Sequence, residues 1–80
     1  MSESELVLVT AQDCHLCEHA RSVLSALGLT AREIDVESAE AAALAREGVP
    51  LLFLPVLLEG RHVLGYGRLS ERRLRRELAA

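Results

Sequence analysis

The sequence predicts an α/β domain with the order β-α-β-α-β-β-α: a four-stranded mixed sheet covered by three helices. Three observations carry that prediction. Short apolar runs at 6–10 and 55–59 are separated by stretches with helical spacing. Gly28 and Gly48 fall where those helical stretches should stop. Gly60-Arg61 separates two apolar runs so closely that only an antiparallel pair can form there. A chain of 80 residues is about one small domain, so residues 1–80 are read as a single unit.

Each element has its own reason. Leu6-Val7-Leu8-Val9-Thr10 is a short, partly β-branched apolar run and reads as a buried strand. From Cys14 the apolar residues Leu16, Ala20, Val23, Leu24 and Leu27 recur on one helical face, and Gly28 ends the helix. Residues 31–36 form the second strand. Its connection through a helix makes it parallel to the first, with a right-handed crossover. Ser38 is placed to cap a helix running to about Glu47, with Glu37 and Glu40 near its positive end. Pro50 blocks any continuation of that helix. Pro55 to Glu59 is the third strand and His62 to Leu64 the fourth, with Gly65-Tyr66-Gly67 as a turn or bulge. Ser70 caps the last helix through about Leu78, and Leu69 and Leu74 are spaced for a hydrophobic staple across its start.

Composition excludes several classes. With 50% hydrophobic and 26% charged residues the chain is globular rather than disordered. Its net charge of −3 argues against a dedicated nucleic-acid binder. The most apolar stretch, Val49 to Leu58, carries two prolines. It is far short of the roughly twenty apolar residues a membrane span needs, so no membrane association is expected and the stretch reads as a buried strand region. Met1 to Glu5 has no basic lead-in to an apolar core, so the expectation is a cytoplasmic protein. There, a lone pair of cysteines points to catalysis or metal binding rather than to a permanent staple.

Charge is uneven along the chain. Residues 1–59 hold ten acidic and three basic residues, a net of −7, whereas residues 60–80 hold six arginines and two glutamates, a net of +4. Arg72, Arg73, Arg75 and Arg76 surround Leu74 and Leu78. One reading is an amphipathic helix with a solvated face, the other a docking patch for an acidic redox partner.

The informative motif is Cys14-His15-Leu16-Cys17, set between a strand and a helix. Residues three apart at a helix start have Cα atoms roughly 5 Å apart, inside the range a disulfide spans, so dithiol and disulfide fit the same backbone. Only a thiolate attacks, and the free amides and dipole at a helix start favour the charged sulfur. Cys14, nearest that end, is therefore the expected nucleophile. Cys17, one turn inward and shielded by Leu16 and Ala20, is the expected resolving thiol. Asp13 beside Cys14 acts against the thiolate and a protonated His15 acts for it; Asp13 also reads simply as a helix N-cap. Two further readings stand beside this one. The cysteines could be small buried hydrophobes. Alternatively, Cys14 and Cys17 could bind or deliver a metal with help from His15, although a closed site wants four ligands and there is no second knuckle. His19 reads as a solvated helix residue, and His62 and Tyr66 as turn and packing residues.

With these residues in place, the whole chain resembles the thioredoxin-like superfamily, and within it the short bacterial glutaredoxin-like proteins. The resemblance rests on the strand leading into Cys14-His15-Leu16-Cys17-Glu18 and on Leu54-Pro55-Val56-Leu57-Leu58-Glu59-Gly60, which looks like the family's proline–strand–turn segment. It implies a cis bond before Pro55 and a substrate chain paired with the backbone of Leu54, flanked by His15 and Leu16. It also implies dithiol–disulfide exchange on a protein or small-molecule disulfide, by a monomer with no tightly bound cofactor. Electrons would come from glutathione or a reductase. The chain departs from the family in carrying His15-Leu16 where glutathione-using members have a proline–aromatic pair, and Leu8 where thioredoxin proper has a buried acid.

Overall fold

A computed structural model describes residues 5–79. The reading of Met1 to Ser4 as no leader lies outside them. The elements are β1 (Leu6–Thr10), α1 (His15–Ala26), β2 (Arg32–Asp35), α2 (Ala39–Arg46), β3 (Val56–Glu59), β4 (His62–Tyr66) and α3 (Glu71–Ala79). The order is the one predicted. Among the described residues no helix is long and apolar enough to cross a membrane.

The sheet runs β2-β1-β3-β4, with β1 parallel to β2 and antiparallel to β3. β3 and β4 form the expected antiparallel hairpin. β4 is longer than predicted because Gly65 and Tyr66 stay paired, opposite Leu57 and Val56. The irregularity is absorbed one residue earlier: Leu58 faces Val63, so Leu64 is extra in the ladder.

Alternation along β1 and β3 divides the core between the two faces of the sheet. Leu8 and Leu57 pack with Ala20, Val23 and Leu24 of α1 and with Leu64, Leu69 and Leu74. Val7, Val9, Val56 and Leu58 pack on the other face with Ile34, Ala41 and Val49. The two inner strands are thus buried on both faces, which is why they read as unbroken apolar runs.

The helix stops follow one chemistry. Gly28 and Gly48 take φ values of 70° and 98°, a region open to glycine without penalty. Beyond them Leu29 N–H donates to the Leu24 carbonyl at 2.9 Å, and Val49 N–H to the Leu44 carbonyl at 3.0 Å. Each bond closes a Schellman motif with its apolar contact. Ser38 caps α2 as predicted, accepting from Ala41 N–H at 3.1 Å, and Ser70 accepts from Arg73 N–H at 3.2 Å at the start of α3.

The stretch from Val49 to Leu58 is a correction. Only Val56 onward is strand, and the segment before it loops outward, leaving Leu52 84% and Phe53 65% exposed. Pro50 and Pro55 bracket that segment and deny it ladder donors.

Leu57 lies on the sheet face covered by α1 and α3, with no exposure. Leu57→Ala is expected to destabilise the fold by about 2–5 kcal/mol, because the rigid sheet beneath it cannot collapse into the void. Urea unfolding would show a lower midpoint at unchanged slope.

Candidate active site

The site is built where β1 ends and α1 begins. Asp13 adopts φ 54°, a left-handed turn that reverses the chain one residue before the helix. The half-helical cap position therefore falls on Cys14, with φ −115° and ψ 107°. This corrects the reading of Asp13 as N-cap and the start of the helix at Cys14. The Cys14 carbonyl accepts from Glu18 N–H at 3.2 Å, and its Sγ accepts from Cys17 N–H at 3.2 Å. Sulfur thus fills the role an oxygen usually has at a helix start.

The two sulfurs differ sharply. Cys14 is half-buried and Cys17 has no exposure; both are free thiols. Burial, followed by the hydrogen bond with Cys14, pushes the Cys17 thiol up to about 11. A backbone hydrogen bond at Ala11 and the charge of Arg21 pull weakly the other way. Arg21 is itself held by Glu33 through two bonds of 2.7 and 3.0 Å. Around Cys14 lies a cleft of about 300 Å³, lined by Thr10, Gln12, Glu18, Arg21 and Glu33 among others.

His15 and Leu16 are exposed beside Cys14. For Leu16 this is a second correction: at 36% exposure it is not on the buried face of α1 where the periodicity placed it, whereas Ala20 is. The buried stripe of α1 runs through Cys17, Ala20, Val23 and Leu24, and Leu16 sits to one side of it. His19 is a third correction. It is half-buried, and its Nε2 donates to the Leu69 carbonyl at 3.1 Å, tying α1 to the entry of α3.

Leu54 and Pro55 reach the same end of the sheet. The β1–β3 register ends with Val9 opposite Val56, the residue after Pro55. Pro55 is buried, Leu54 half-buried, and the peptide between them is cis. The Pro55 carbonyl accepts from Gly67 N–H at 2.8 Å, which fastens the loop to the end of β4.

Sequence reasoning missed the apolar rim. Leu16, Leu52, Phe53 and Tyr66 are the large hydrophobics most exposed among the described residues. The Phe53 and Tyr66 rings pair with centroids 6.1 Å apart. Tyr66 stands opposite Val56, the residue after Pro55. The two prolines five residues apart were the available signal that Leu52 and Phe53 could not be ladder residues. Among the described residues no group of three or more His, Cys, Asp or Glu is placed to hold a metal ion.

No family model matches the chain, and no curated protein matches it. Among solved structures it is similar to a thioredoxin-2 of the malaria parasite, described as a component of protein secretion machinery. That likeness has a TM-score of 0.55 at 16% identity, covering 99% of this chain and 85% of that one. The likeness is one of fold: the chain is a small α/β domain with a thioredoxin fold.

Proposed function

We propose that this protein is a thiol–disulfide oxidoreductase working through Cys14 and Cys17. The observation that carries the reading is the asymmetry of the pair: a half-exposed sulfur receiving an amide hydrogen bond, and three residues on a buried thiol held protonated near neutrality. A thioredoxin fold, with Pro55 leading into β3 at the sheet end where β1 runs toward Cys14, supports it.

The exchange balances in two steps. The Cys14 thiolate attacks one sulfur of a substrate disulfide, forming a mixed disulfide and expelling the other substrate sulfur as a thiolate. Cys17 then gives up its proton and attacks Cys14 Sγ, closing the Cys14–Cys17 disulfide and releasing the second substrate thiol. The substrate is reduced by two electrons and the protein oxidised by two. The backbone of Leu54, beside Pro55, orients the substrate chain by strand-like pairing, with His15 and Leu16 against its flank. Glutathione or a reductase returns the pair to dithiol. The rival metal reading has no comparable support, because His15 and His19 do not join the cysteines in a ligand cluster among the described residues.

The test is trapping. Cys17→Ser removes the second step, so the variant is expected to accumulate a mixed disulfide on Cys14 that survives non-reducing electrophoresis and yields its captured thiol on reduction. If Cys17→Ser turned over like the parent and captured nothing, the two-step reading would fail.

A further inference from the structure

We propose that the outer face of α3 and the groove between α3 and β4 form a docking surface for an acidic protein partner that carries the disulfide. The inference deepens the functional reading above and rests on it.

The first support is the distribution of ion pairs. Arg21, Arg32, Arg61 and Arg75 each pair with a carboxylate: Glu33, Glu5 and Glu40, Glu47, and Glu71 respectively. Apart from Arg46 of α2, the arginines with no such pair among the described residues are Arg68, Arg72, Arg73 and Arg76, and all four are exposed. They fall within nine consecutive positions of a chain whose overall charge is −3. Helical spacing puts Arg72 and Arg76 opposite the buried Leu74, facing solvent. Arg68 and Arg73 line a groove of about 380 Å³ with Tyr66, Ser70 and Glu77. Glu77 is the acidic residue in that lining, so the groove keeps a positive balance.

The second support is continuity with the site. Arg68 follows Gly67, whose amide binds the Pro55 carbonyl at 2.8 Å. Tyr66, which shares the groove, forms a tilted ring pair with Phe53 on the apolar rim. A partner seated on α3 thus extends without a break to Cys14's end of the sheet. An apolar centre flanked by charged groups is the ordinary anatomy of a protein interface. Arginine suits carboxylates there because its planar fork binds them in pairs. The acidic body of the chain, −7 over residues 1–59, disfavours a polyanion that would lie across the whole surface. It tolerates a partner whose negative charge is local.

The experiment compares three disulfides with the full chain: a peptide disulfide flanked by glutamates, the same peptide flanked by lysines, and uncharged hydroxyethyl disulfide. At about 20 mM salt the glutamate peptide is expected to be reduced with at least about tenfold higher kcat/KM than the lysine peptide, the advantage collapsing near 500 mM. The triple variant Arg72→Glu, Arg73→Glu, Arg76→Glu is expected to lose that advantage while reducing hydroxyethyl disulfide at the parent rate. Arg→Gln at the same positions gives an intermediate loss and guards against a folding defect. A binding arm uses the glutamate peptide with serine for cysteine, read by fluorescence anisotropy; binding that the triple variant abolishes supports the surface even if no disulfide is reduced, which would sink the functional reading alone. Equal kcat/KM for the two peptides, or tighter binding of duplex DNA or of phosphatidylserine vesicles than of the acidic peptide, overturns the proposal.

Discussion

Cys14→Ser is expected to abolish disulfide reduction, leaving only the rate of the uncatalysed reaction. A serine hydroxyl at this cap can still accept the Cys17 amide, so α1 keeps its start and the fold survives. What disappears is the nucleophile: an alcohol is not ionised near neutrality, and Cys17 cannot substitute because it is buried and protonated. The substitution therefore separates structure from chemistry cleanly. Circular dichroism and urea unfolding should match the parent, while reduction of hydroxyethyl disulfide falls to background. Full turnover by a folded Cys14→Ser variant would remove the two-sulfur mechanism altogether.

The same cap shows how far the sequence could be read. Element order was legible because the apolar runs, Gly28, Gly48 and the Gly60 turn each act over a few residues. The candidate site was legible because a cysteine three residues from another at a strand–helix junction has a narrow set of uses. The identity of the N-cap was not. Capping preferences are written for oxygen side chains and point to Asp13 alone, whereas its φ of 54° leaves the cap to Cys14, one position on. Leu16 was misplaced for a related reason: helical periodicity gives a stripe but not where its first turn meets the sheet, and here the buried stripe begins at Cys17. His19 depended on Leu69, fifty residues away, a contact no local pattern encodes. Leu52 and Phe53 were hidden by their composition, because apolar residues in a run read as core whether or not a partner face exists.

Resolution of the mixed disulfide is expected to depend steeply on pH. The rate of the second step follows the thiolate fraction of Cys17. For a thiol pushed up to about 11 that fraction rises tenfold per unit throughout the range below its pKa. Once Cys14 is linked to substrate, its hydrogen bond to the Cys17 thiol is lost, but burial, the largest cause, remains. Release of a chromogenic thiol from the mixed disulfide should therefore climb with unit slope from pH 6 to pH 8, a hundredfold overall, with no plateau near neutrality. A plateau at pH 7 would mean that Cys17 is not held protonated by its surroundings. The same shift has a consequence for stability, and its sign is fixed. In the unfolded chain the thiol titrates near 9.0, in the folded protein near 11. The unfolded state thus loses its proton first, and stability that is complete below pH 9 drains away as pH rises through the folded value. The reduced protein should lose about 2 kcal/mol more than Cys17→Ala between pH 9 and pH 11. Parallel pH dependence of the two unfolding midpoints would show that the buried sulfur is ordinary, and would leave the asymmetry of the pair without its physical cause.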